Sequence, residues 1–357
     1  MNQPTRIVQG IHHLHFYLWD LPHWQEYFCH IWGFQVENQT DNTLHLHQGS
    51  LRLRLSQPAH VGDAVDRYLQ QHSPGIVDVA LAVGRQDLSD LAGRLQERGA
   101  EVKWIPAETE NTPPSLCLCP PYGLRHSLIP GPVPAHSHPS RLFSHLDHVV
   151  LNVGQGSLQA AADWYGQVLG WARLYRYSIG TDHSGLESWV VGDPKMGIHL
   201  AINEPTSATS QIQEFLDAHH GPGIQHVALH SPDIVATLRQ LRRAGVNFLQ
   251  VPPGYYATLE RALASGTYSR LGIQQTIPWQ DLVEQEILLD ATLSASDDQQ
   301  APLLLQTFTQ PLFGQPTFFF EIIQRLGGAT GFGEGNFQAL FEALERQQRQ
   351  RQQALWG

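Results

Sequence analysis

Three side chains in the second half of the chain are of types that could together bind a transition metal. His148 lies in the segment LDHVVLN, His226 in IQHVALH and Glu321 in TFFFEIIQ. Each segment reads as a β-strand, in which alternate side chains share a face, so Glu321 shares its face with aromatic and aliphatic residues. A buried carboxylate without a partner is too costly to keep charged. Two imidazoles and one carboxylate leave three open positions on an octahedral metal, an arrangement typical of Fe(II) and oxygen chemistry.

Each of these residues also has an ordinary structural explanation. A strand histidine is more often a hydrogen-bonded core residue than a ligand, and Glu321 could be paired with an arginine such as Arg325. The chain has 20 histidines, so their number alone identifies no site. The HSHP segment lies in a proline-rich linker, and CLC at 117–119 has the wrong spacing for a zinc knuckle. Neither of those segments is predicted to bind metal.

An internal repeat gives a reason to expect the three residues to meet. SPGIVDVALAV (73–83) resembles GPGIQHVALHS (221–231), and each is followed by an amphipathic helical segment that ends at a glycine. The segment 10–37 likewise parallels 145–173, as a strand followed by a helix. The chain therefore contains four strand–helix–strands modules, two in each half, with the proline-rich segment between the halves.

The repeat also indicates which half carries the chemistry. Aligning the halves places His13 opposite His148 and Asp78 opposite His226. Only the second half keeps the full ligand set, because the first half has one histidine and one aspartate at these positions. This pattern predicts one working site and one structural copy.

Composition excludes several classes of partner. The chain has 357 residues, of which 41% are hydrophobic and 15% charged, and its formal charge is −11. Without a run of Lys or Arg, this charge argues against nucleic acid or an anionic membrane surface as a partner. The three cysteines form no disulfide framework, and neither a signal peptide nor a long apolar run is present. We expect a soluble, cytoplasmic protein.

The chain resembles the 4-hydroxyphenylpyruvate dioxygenase family of the vicinal oxygen chelate superfamily. PTFFFEIIQR followed by GFGEGNF is a specific signature, and the likeness is good from LDHVVLNV to GFGEGNFQALFEALE and weaker in the first half. The resemblance implies an α+β fold of two glyoxalase/bleomycin-resistance-like domains, each of two βαβββ modules. Residues 1–135 would form a structural domain, and residues 136–357 would form the catalytic, iron-binding domain.

The resemblance also implies roles for individual residues. His148, His226 and Glu321 would hold Fe(II), one ion per chain. The side chains implied to bind substrate are Ser188, Asn203, Gln225, Gln306, Phe308, Phe319, Asn336 and Phe337. Ala201 departs from the family pattern, because many relatives have proline there, and this affects the expected shape beside Asn203.

The last segment, EGNFQALFEALERQQRQRQQALW, reads as a helix over about residues 335–354. Phe337, Leu340, Phe341 and Leu344 have the spacing of one apolar helix face. The helix follows GGATGFGEG, a loop that could act as a hinge. Packing on the core would explain the apolar face, and the resemblance further implies a gate that excludes water from the iron.

The activity implied by the resemblance is oxidation of 4-hydroxyphenylpyruvate, an aromatic α-keto acid, by O2 to homogentisate and CO2. Homogentisate would feed tyrosine catabolism or quinone biosynthesis. Alternatives on the same fold are 4-hydroxymandelate synthase, an extradiol ring-cleaving enzyme and a metal-free module that binds an aromatic ligand. Asn203 weighs against hydroxymandelate synthase, in which an apolar residue is expected. Family members assemble as homodimers or homotetramers, and we expect one of these states.

Overall fold

The first half contains two successive modules of one strand, one helix and three strands. The computed structural model describes residues 7–106, 114–133, 142–180, 184–252, 254–264, 277–291 and 302–354. The first module comprises β1 (Val8–Tyr17), α1 (Leu21–Glu26) with a following π-helix (Tyr27–Ile31), β2 (Gln35–Gln39), β3 (Thr43–Gln48) and β4 (Leu51–Ser56). After α2 (Ala64–Leu69), the second comprises β5 (Gly75–Val83), α3 (Leu88–Glu97), β6 (Val102–Ile105), β7 (Ser115–Leu118) and β8 (His126–Pro130).

The second half repeats this order with additional helices. Its first module comprises β9 (His145–Asn152), α4 (Leu158–Leu169), β10 (Ala172–Gly180), β11 (Gly185–Asp193), a 3-10 turn (Pro194–Met196) and β12 (Ile198–Pro205). After α5 (Gln211–His219) follow β13 (Gly223–His230), α6 (Ile234–Arg243), α7 (Tyr255–Ala264), α8 (Trp279–Glu284), β14 (Leu288–Ala291), β15 (Leu303–Phe308) and β16 (Phe319–Leu326). The described chain ends in α9 (Glu334–Ala354).

Each half forms one eight-stranded sheet, and the two sheets have the same topology. The strand orders are β2-β3-β4-β1-β5-β8-β7-β6 and β10-β11-β12-β9-β13-β16-β15-β14. In each sheet the first strands of the two modules pair antiparallel at the centre. This confirms the predicted α+β fold of two domains, each of two βαβββ modules. The predicted boundary between residues 135 and 136 lies outside the described ranges.

The repeated helices begin and end with the same local signals. The side chain of Asp87 accepts hydrogen bonds from the backbone at the start of α3, and that of Asp233 does so at the start of α6. These N-caps satisfy amide groups that have no partner within the helix. The helices end just before Gly99 and Gly245, whose φ angles are +89° and +91°. Both predicted helix ends are confirmed.

The strand that carries Glu321 alternates as the sequence predicts, although it begins two residues after Thr317, at Phe319. Phe318, Phe320 and Ile322 point into the main hydrophobic core. Glu321 lies on the opposite face with Phe319 and Ile323, which belong to separate small clusters. The carboxylate is therefore directed away from the main core.

The main hydrophobic core is continuous between the two halves. The Phe16 ring meets Phe318 at 5.2 Å, and the Trp32 ring meets Phe320 at 4.6 Å and Phe143 at 5.6 Å between centroids. All five side chains are fully or almost fully buried. Within the described part of the chain, no helix combines the length and apolar composition needed to cross a bilayer.

Candidate active site

Three neighbouring strands bring His148, His226 and Glu321 together. On the paired strands β9 and β13, His148 lies opposite Ala228, and on β16 Glu321 lies beside the same Ala228. The Oε2 atom of Glu321 is 3.2 Å from His148 Nε2 and 3.6 Å from His226 Nε2. The exposed fractions of the three residues are 3%, 8% and 2% in the order His148, His226 and Glu321. The sheet thus buries one carboxylate oxygen between two imidazole nitrogens.

The second nitrogen of each imidazole is held by an acceptor one residue earlier in the chain. His148 Nδ1 is 2.9 Å from Asp147 Oδ1, and His226 Nδ1 is 3.1 Å from the side-chain oxygen of Gln225. Because both partners are acceptors, each Nδ1 carries the donated hydrogen. In its neutral form, each ring would present the lone pair of Nε2 toward Glu321, the tautomer that a metal ligand requires.

Asp147 is fixed in turn by Arg325 on β16. The guanidinium donates to both carboxylate oxygens, each at 2.7 Å. Burial alone would raise the pKa of Asp147, but hydrogen bonds from Arg325 and His148 hold it well below its usual range. Arg325 therefore forms its ion pair with Asp147, and the Glu321 carboxylate lies against the two histidines. It also donates to the backbone carbonyl of Gly331 at 2.9 Å, in the loop that precedes α9.

The electrostatics of the three side chains favour a bound cation. Burial raises the pKa of Glu321, and the pKa of His226 is lowered first by burial and then by His148. Burial opposes protonation of His148 as well, yet the carboxylates of Glu321 and Asp147 raise its pKa to about 9. Oxygen Oε1 of Glu321 has no hydrogen-bond partner among the described residues. Ligand atoms of the three side chains lie within 4.8 Å of one another, and two histidines with one carboxylate suit a divalent first-row metal.

A largely apolar cavity opens onto these three side chains. It encloses about 650 Å³ of space, including its open mouth. Of the eight side chains expected to bind substrate, six line it: Ser188, Asn203, Gln225, Gln306, Phe308 and Phe337. Ala201, the departure from the family pattern, also lies on the wall. An apolar pocket with a few polar groups is typical of a site for a small organic ligand.

Two amide side chains direct unsatisfied atoms into this region. Gln306 is 1% exposed, and neither its oxygen nor its nitrogen has a hydrogen-bond partner among the described residues. The side-chain oxygen of buried Gln211, which also lines the cavity, has none either. Buried polar atoms are nearly always paired, so these atoms are available to water or to a polar ligand in the cavity.

Phe319 and Asn336 do not line the cavity. The Phe319 ring stacks on His226 at 4.8 Å between centroids, behind the metal-facing nitrogen. The Asn336 amide is 2.8 Å from the Tyr255 hydroxyl. That hydroxyl donates to the Leu289 carbonyl at 3.1 Å, so the Asn336 amide is the donor in their bond. Phe319 therefore supports the His226 ring, and Asn336 attaches α9 to Tyr255 at the start of α7.

The final helix covers part of the cavity. Phe337 and Leu344 on α9 belong to the lining, whereas the side chains of Leu340 and Phe341 lie outside the described residues. Farther along α9, Arg351 donates to both carboxylate oxygens of Glu214 on α5, at 3.2 and 2.7 Å. The helix spans Glu334–Ala354, close to the predicted range of about 335–354.

Sequence reasoning did not assign the correct role to four residues that shape the site. Asp147 directly precedes His148, and Arg325 is the last residue of the PTFFFEIIQR segment that contains Glu321. A charged residue close to each candidate ligand was therefore a signal in the sequence. The Phe332 ring, in GFGEGNF, meets His148 at 5.0 Å between centroids. Gln211 lies at the start of an additional helix outside the repeated modules, and no sequence pattern singled it out.

Known proteins resemble this chain along nearly its whole length. Residues 145–262 match the Glyoxalase/Bleomycin resistance protein/Dioxygenase superfamily. An uncharacterized protein of Synechocystis sp. is 35% identical over 354 residues, covering 95% of this chain and 98% of the relative. The 4-hydroxyphenylpyruvate dioxygenase of Yarrowia lipolytica is 31% identical over 381 residues, covering 96% and 93%. A solved variant of 4-hydroxymandelate synthase from Streptomyces coelicolor matches with a TM-score of 0.79 and 28% identity, covering 96% of this chain and 99% of that one. The chain belongs to the 4-hydroxyphenylpyruvate dioxygenase family.

Proposed function

We propose that this chain is an Fe(II)-dependent dioxygenase that converts 4-hydroxyphenylpyruvate and O2 into homogentisate and CO2. The observation that carries the proposal is the buried group of His148, His226 and Glu321 facing a cavity with unsatisfied amides. Curated relatives of known activity supply the substrate class, because the Yarrowia lipolytica dioxygenase aligns with 96% of this chain.

His148 Nε2, His226 Nε2 and the Glu321 carboxylate would hold the iron. When bound there, iron would supply three positions, for a bidentate α-keto acid and for dioxygen, and the electrons that activate O2. Asp147 and Gln225 fix the two imidazoles in the required tautomer. The unpartnered oxygen of Glu321 is consistent with a metal ion in this position.

The cavity lining would bind and orient the substrate. The amides of Gln306, Gln211 and Asn203 are suited to the polar ends of the keto acid, and Phe308 and Phe337 to its ring. Ser188 adds a hydroxyl to the same wall. Holding the reacting atoms in one arrangement removes much of the entropic barrier of the reaction. No side chain of the lining needs to act as a proton donor or acceptor, because the metal and O2 perform the chemistry.

The helix α9 would act as a cover that keeps water out of the pocket. Its Phe337 and Leu344 form part of the wall, Arg351 attaches it to α5, and Asn336 attaches it to Tyr255 of α7. Excluding water protects reactive intermediates from side reactions. Phe319 would serve by supporting the His226 ring.

Residues 1–135 would be the structural domain and residues 136–357 the catalytic one. Glu321, His148 and His226 all come from the second half, and most side chains at the repeated positions of the first half differ. Assembly as a homodimer or homotetramer, and a cytoplasmic location, remain predictions.

A second candidate is 4-hydroxymandelate synthase activity, because a variant of that enzyme matches this fold with a TM-score of 0.79. The two reactions share substrate, metal and decarboxylation, and differ in whether the ring or the benzylic carbon is oxidised. The position of Asn203 in the cavity wall supports ring oxidation, since an apolar residue is expected there in the synthase. A metal-free binding module is disfavoured because all three ligand side chains are present and buried together.

Oxygen uptake by the Fe(II)-loaded protein with 4-hydroxyphenylpyruvate tests the proposal directly. We expect homogentisate and CO2, each in equal amount to the O2 consumed, identified by chromatography and mass spectrometry. Glu321→Ala should abolish uptake and weaken iron binding, whereas Glu187→Ala on the same sheet should preserve both. Hydroxymandelate as the main product would establish the second candidate. Tight iron binding without uptake would exclude both activities.

A further inference from the structure

A second cavity lies between the two halves of the chain, apart from the catalytic one. It encloses about 820 Å³ of space, its open mouth included. The first half contributes Leu14, Phe34 and Leu51 to the wall, and the second half contributes Met196 and Phe320. Among the described residues, none lines both cavities. Ligand sites occur preferentially at such junctions between domains.

The strands that carry the metal-facing residues separate the two cavities. Phe320 directly precedes Glu321 on β16. On the neighbouring strand β13, Leu229 directly follows Ala228, the residue that pairs with Glu321. Successive side chains of a strand point to opposite faces, so Phe320 and Leu229 line the cavity between the halves while Glu321 lines the catalytic one. The second cavity therefore lies on the other face of the same sheet.

The walls of this cavity are mainly apolar. Phe34 and Leu51 from the first half and Phe320 from the second are buried members of the main hydrophobic core. Met196 is partly buried and packs against the same core. A molecule that enters this space removes its own apolar surface from water, and that transfer is favourable. The walls therefore suit a ligand that is largely hydrocarbon.

Arg52 supplies a hydrogen-bond donor at one end of the cavity. Its Nε atom lies 3.4 Å from the carboxylate of Glu37, so a negative group already offsets its charge. Its Nη1 atom is buried and has no hydrogen-bond partner among the described residues. Buried N–H groups nearly always have an acceptor, so this one is available to an acceptor inside the cavity. An uncharged oxygen is sufficient for that role.

The two histidines next to Arg52 in the lining are held neutral. The Nδ1 atoms of His12 and His13 are 2.9 Å apart, so one donates a hydrogen bond and the other accepts it. Burial and then Arg52 lower the pKa of His12 to about 4. Burial is also the main cause that lowers the pKa of His13 well below its usual value. At neutral pH these rings therefore add no charge to the cavity.

We propose that the cavity between the halves binds a small, uncharged, largely apolar molecule whose carbonyl oxygen accepts a hydrogen bond from Arg52 Nη1. The apolar body would occupy the space lined by Phe34, Met196 and Phe320. Because both halves form the wall, such a ligand would bridge them and bind only the folded chain. The site does not depend on the metal or on the reaction proposed for the catalytic cavity.

Photolabelling of the iron-loaded protein with benzophenone, an uncharged aromatic ketone, tests this proposal. On irradiation the ketone adds across a nearby C–H bond, so that its carbon forms a new C–C bond and its oxygen takes the hydrogen. We expect saturable labelling at Met196 or at residues 51–53, half-maximal at roughly 100 µM or below. Mass spectrometry of peptides separates this labelling from any in the catalytic cavity.

Arg52→Met removes the donor and keeps an unbranched side chain at the same place. Loss of a hydrogen bond from a charged group should raise the half-maximal concentration about tenfold for labelling between the halves. Labelling of peptides from the catalytic cavity should not change. Arg239→Met, which removes an exposed ion pair with Asp281, is the matched control and should label as the unaltered protein does. Circular dichroism and thermal melting show whether both variants fold.

Absence of saturable labelling between the halves, or an unchanged half-maximal concentration in folded Arg52→Met, would overturn the proposal. A second measurement on the unaltered protein does not depend on either variant. Crystals soaked in 4-bromobenzophenone should show anomalous scattering from bromine between Phe34 and Phe320. Bromine located only in the catalytic cavity or on the surface would exclude the site.

Discussion

The Arg325 guanidinium binds both oxygens of the Asp147 carboxylate at 2.7 Å, and Asp147 in turn accepts from His148 Nδ1. Arg325 lies on the strand that carries Glu321, and Asp147 lies on the strand that carries His148. The ion pair therefore ties two metal-facing strands together. Arg325 also donates a hydrogen bond to the Gly331 carbonyl, which connects these strands to the loop before α9.

Replacing Arg325 with methionine should weaken metal binding without removing a ligand. Asp147 would lose its partner, and the orientation and basicity of His148 would be less well fixed. Loss of such an outer contact costs roughly 10- to 100-fold in metal affinity. Competition with a chelator measures the change, and Arg239→Met, which removes an exposed ion pair with Asp281, is the control. Unchanged affinity in Arg325→Met would show that the ion pair does not support the ligand.

Gly333→Ala should disturb Gln306 and reduce turnover. A Cβ atom at Gly333 would lie 2.0 Å from the Gln306 amide oxygen, so the amide must move. Gly328→Ala is a matched control, because the φ angles are +79° and +73° and a Cβ at Gly328 meets nothing within 4 Å. Both variants carry similar backbone strain, of about 1 kcal/mol or more. We expect KM to rise severalfold for Gly333→Ala alone; equal kinetics in the two variants would argue against a substrate role for Gln306.

Asn203→Ile combined with Phe308→Leu should shift product formation toward hydroxymandelate. Both side chains line the cavity, and the change removes an amide while it enlarges the space beside the ring. The measurement is the ratio of homogentisate to hydroxymandelate at equal oxygen consumption. Asn38→Ile on the exposed strand β2 serves as the control and should leave the ratio unchanged. An unaltered ratio in the double variant would remove these residues as determinants of the oxidised position.

Stability should fall in acid partly because of His219, which lies between the halves. Its Nδ1 donates to the Gly221 carbonyl at 3.2 Å, so its Nε2 accepts from the Tyr68 hydroxyl at 3.0 Å. This neutral arrangement is buried, and burial followed by His72 lowers the pKa of His219 to about 4. The unfolded chain therefore binds the proton more tightly, and stability decreases as pH falls from about 6.5 to about 4, by on the order of 3 kcal/mol.

His219→Gln should remove this part of the pH dependence. The variant should lose about 1 kcal/mol near neutral pH, because one hydrogen bond to Tyr68 is lost, and should fall less steeply in acid. Urea unfolding at several pH values between 7 and 4.5 gives the free energy of unfolding of the variant and of the unaltered protein, and thus its change with pH for each. Exposed His60→Gln controls for the loss of a histidine and should follow the unaltered protein. If the free energy of unfolding changes equally with pH in His219→Gln and in the unaltered protein, His219 is not the source of this pH dependence.

The ion pair between Arg351 and Glu214 should influence how well α9 closes. The side chains are 36% and 21% exposed, so the pair contributes less than about 1 kcal/mol to stability. Arg351→Glu should accelerate removal of iron by a chelator and lower the yield of product per O2, since like charges would separate α9 from α5. The reversed pair, Glu214→Arg with Arg351→Glu, should restore both. Failure of the reversed pair to restore them would assign the effect to other contacts of α9.

Much of the fold could be predicted from the sequence because the repeated modules are specified by short-range sequence signals. The N-capping aspartates, the glycines after the helices and the alternation of the strands each act within a few residues. The positions of His148 and His226 were also predictable, because one register relates the two halves. Glu321 could be placed only by combining its unusual strand with the family signature.

The contacts that organise the site were harder to predict. Arg325 and Asp147 are far apart in the sequence and come together only in the folded protein. The sequence alone therefore does not identify the carboxylate with which this arginine forms an ion pair. Asn336 and Phe319 have types suited to substrate contact, but the structure turns one toward Tyr255 and the other behind His226. Side-chain direction at such positions depends on packing between elements that are distant in the chain.

The shared aromatic core has a consequence for how this protein tolerates change. One hydrophobic cluster contains Phe16, Trp32, Phe143, Phe318 and Phe320. Separating the two halves would therefore expose apolar side chains of each half to water. The two halves are therefore expected to unfold in a single cooperative transition, even though the repeat divides them. A substitution at Trp32, remote from the metal-facing histidines, would lower activity by reducing the fraction of folded molecules and would leave the kinetics of each folded molecule intact.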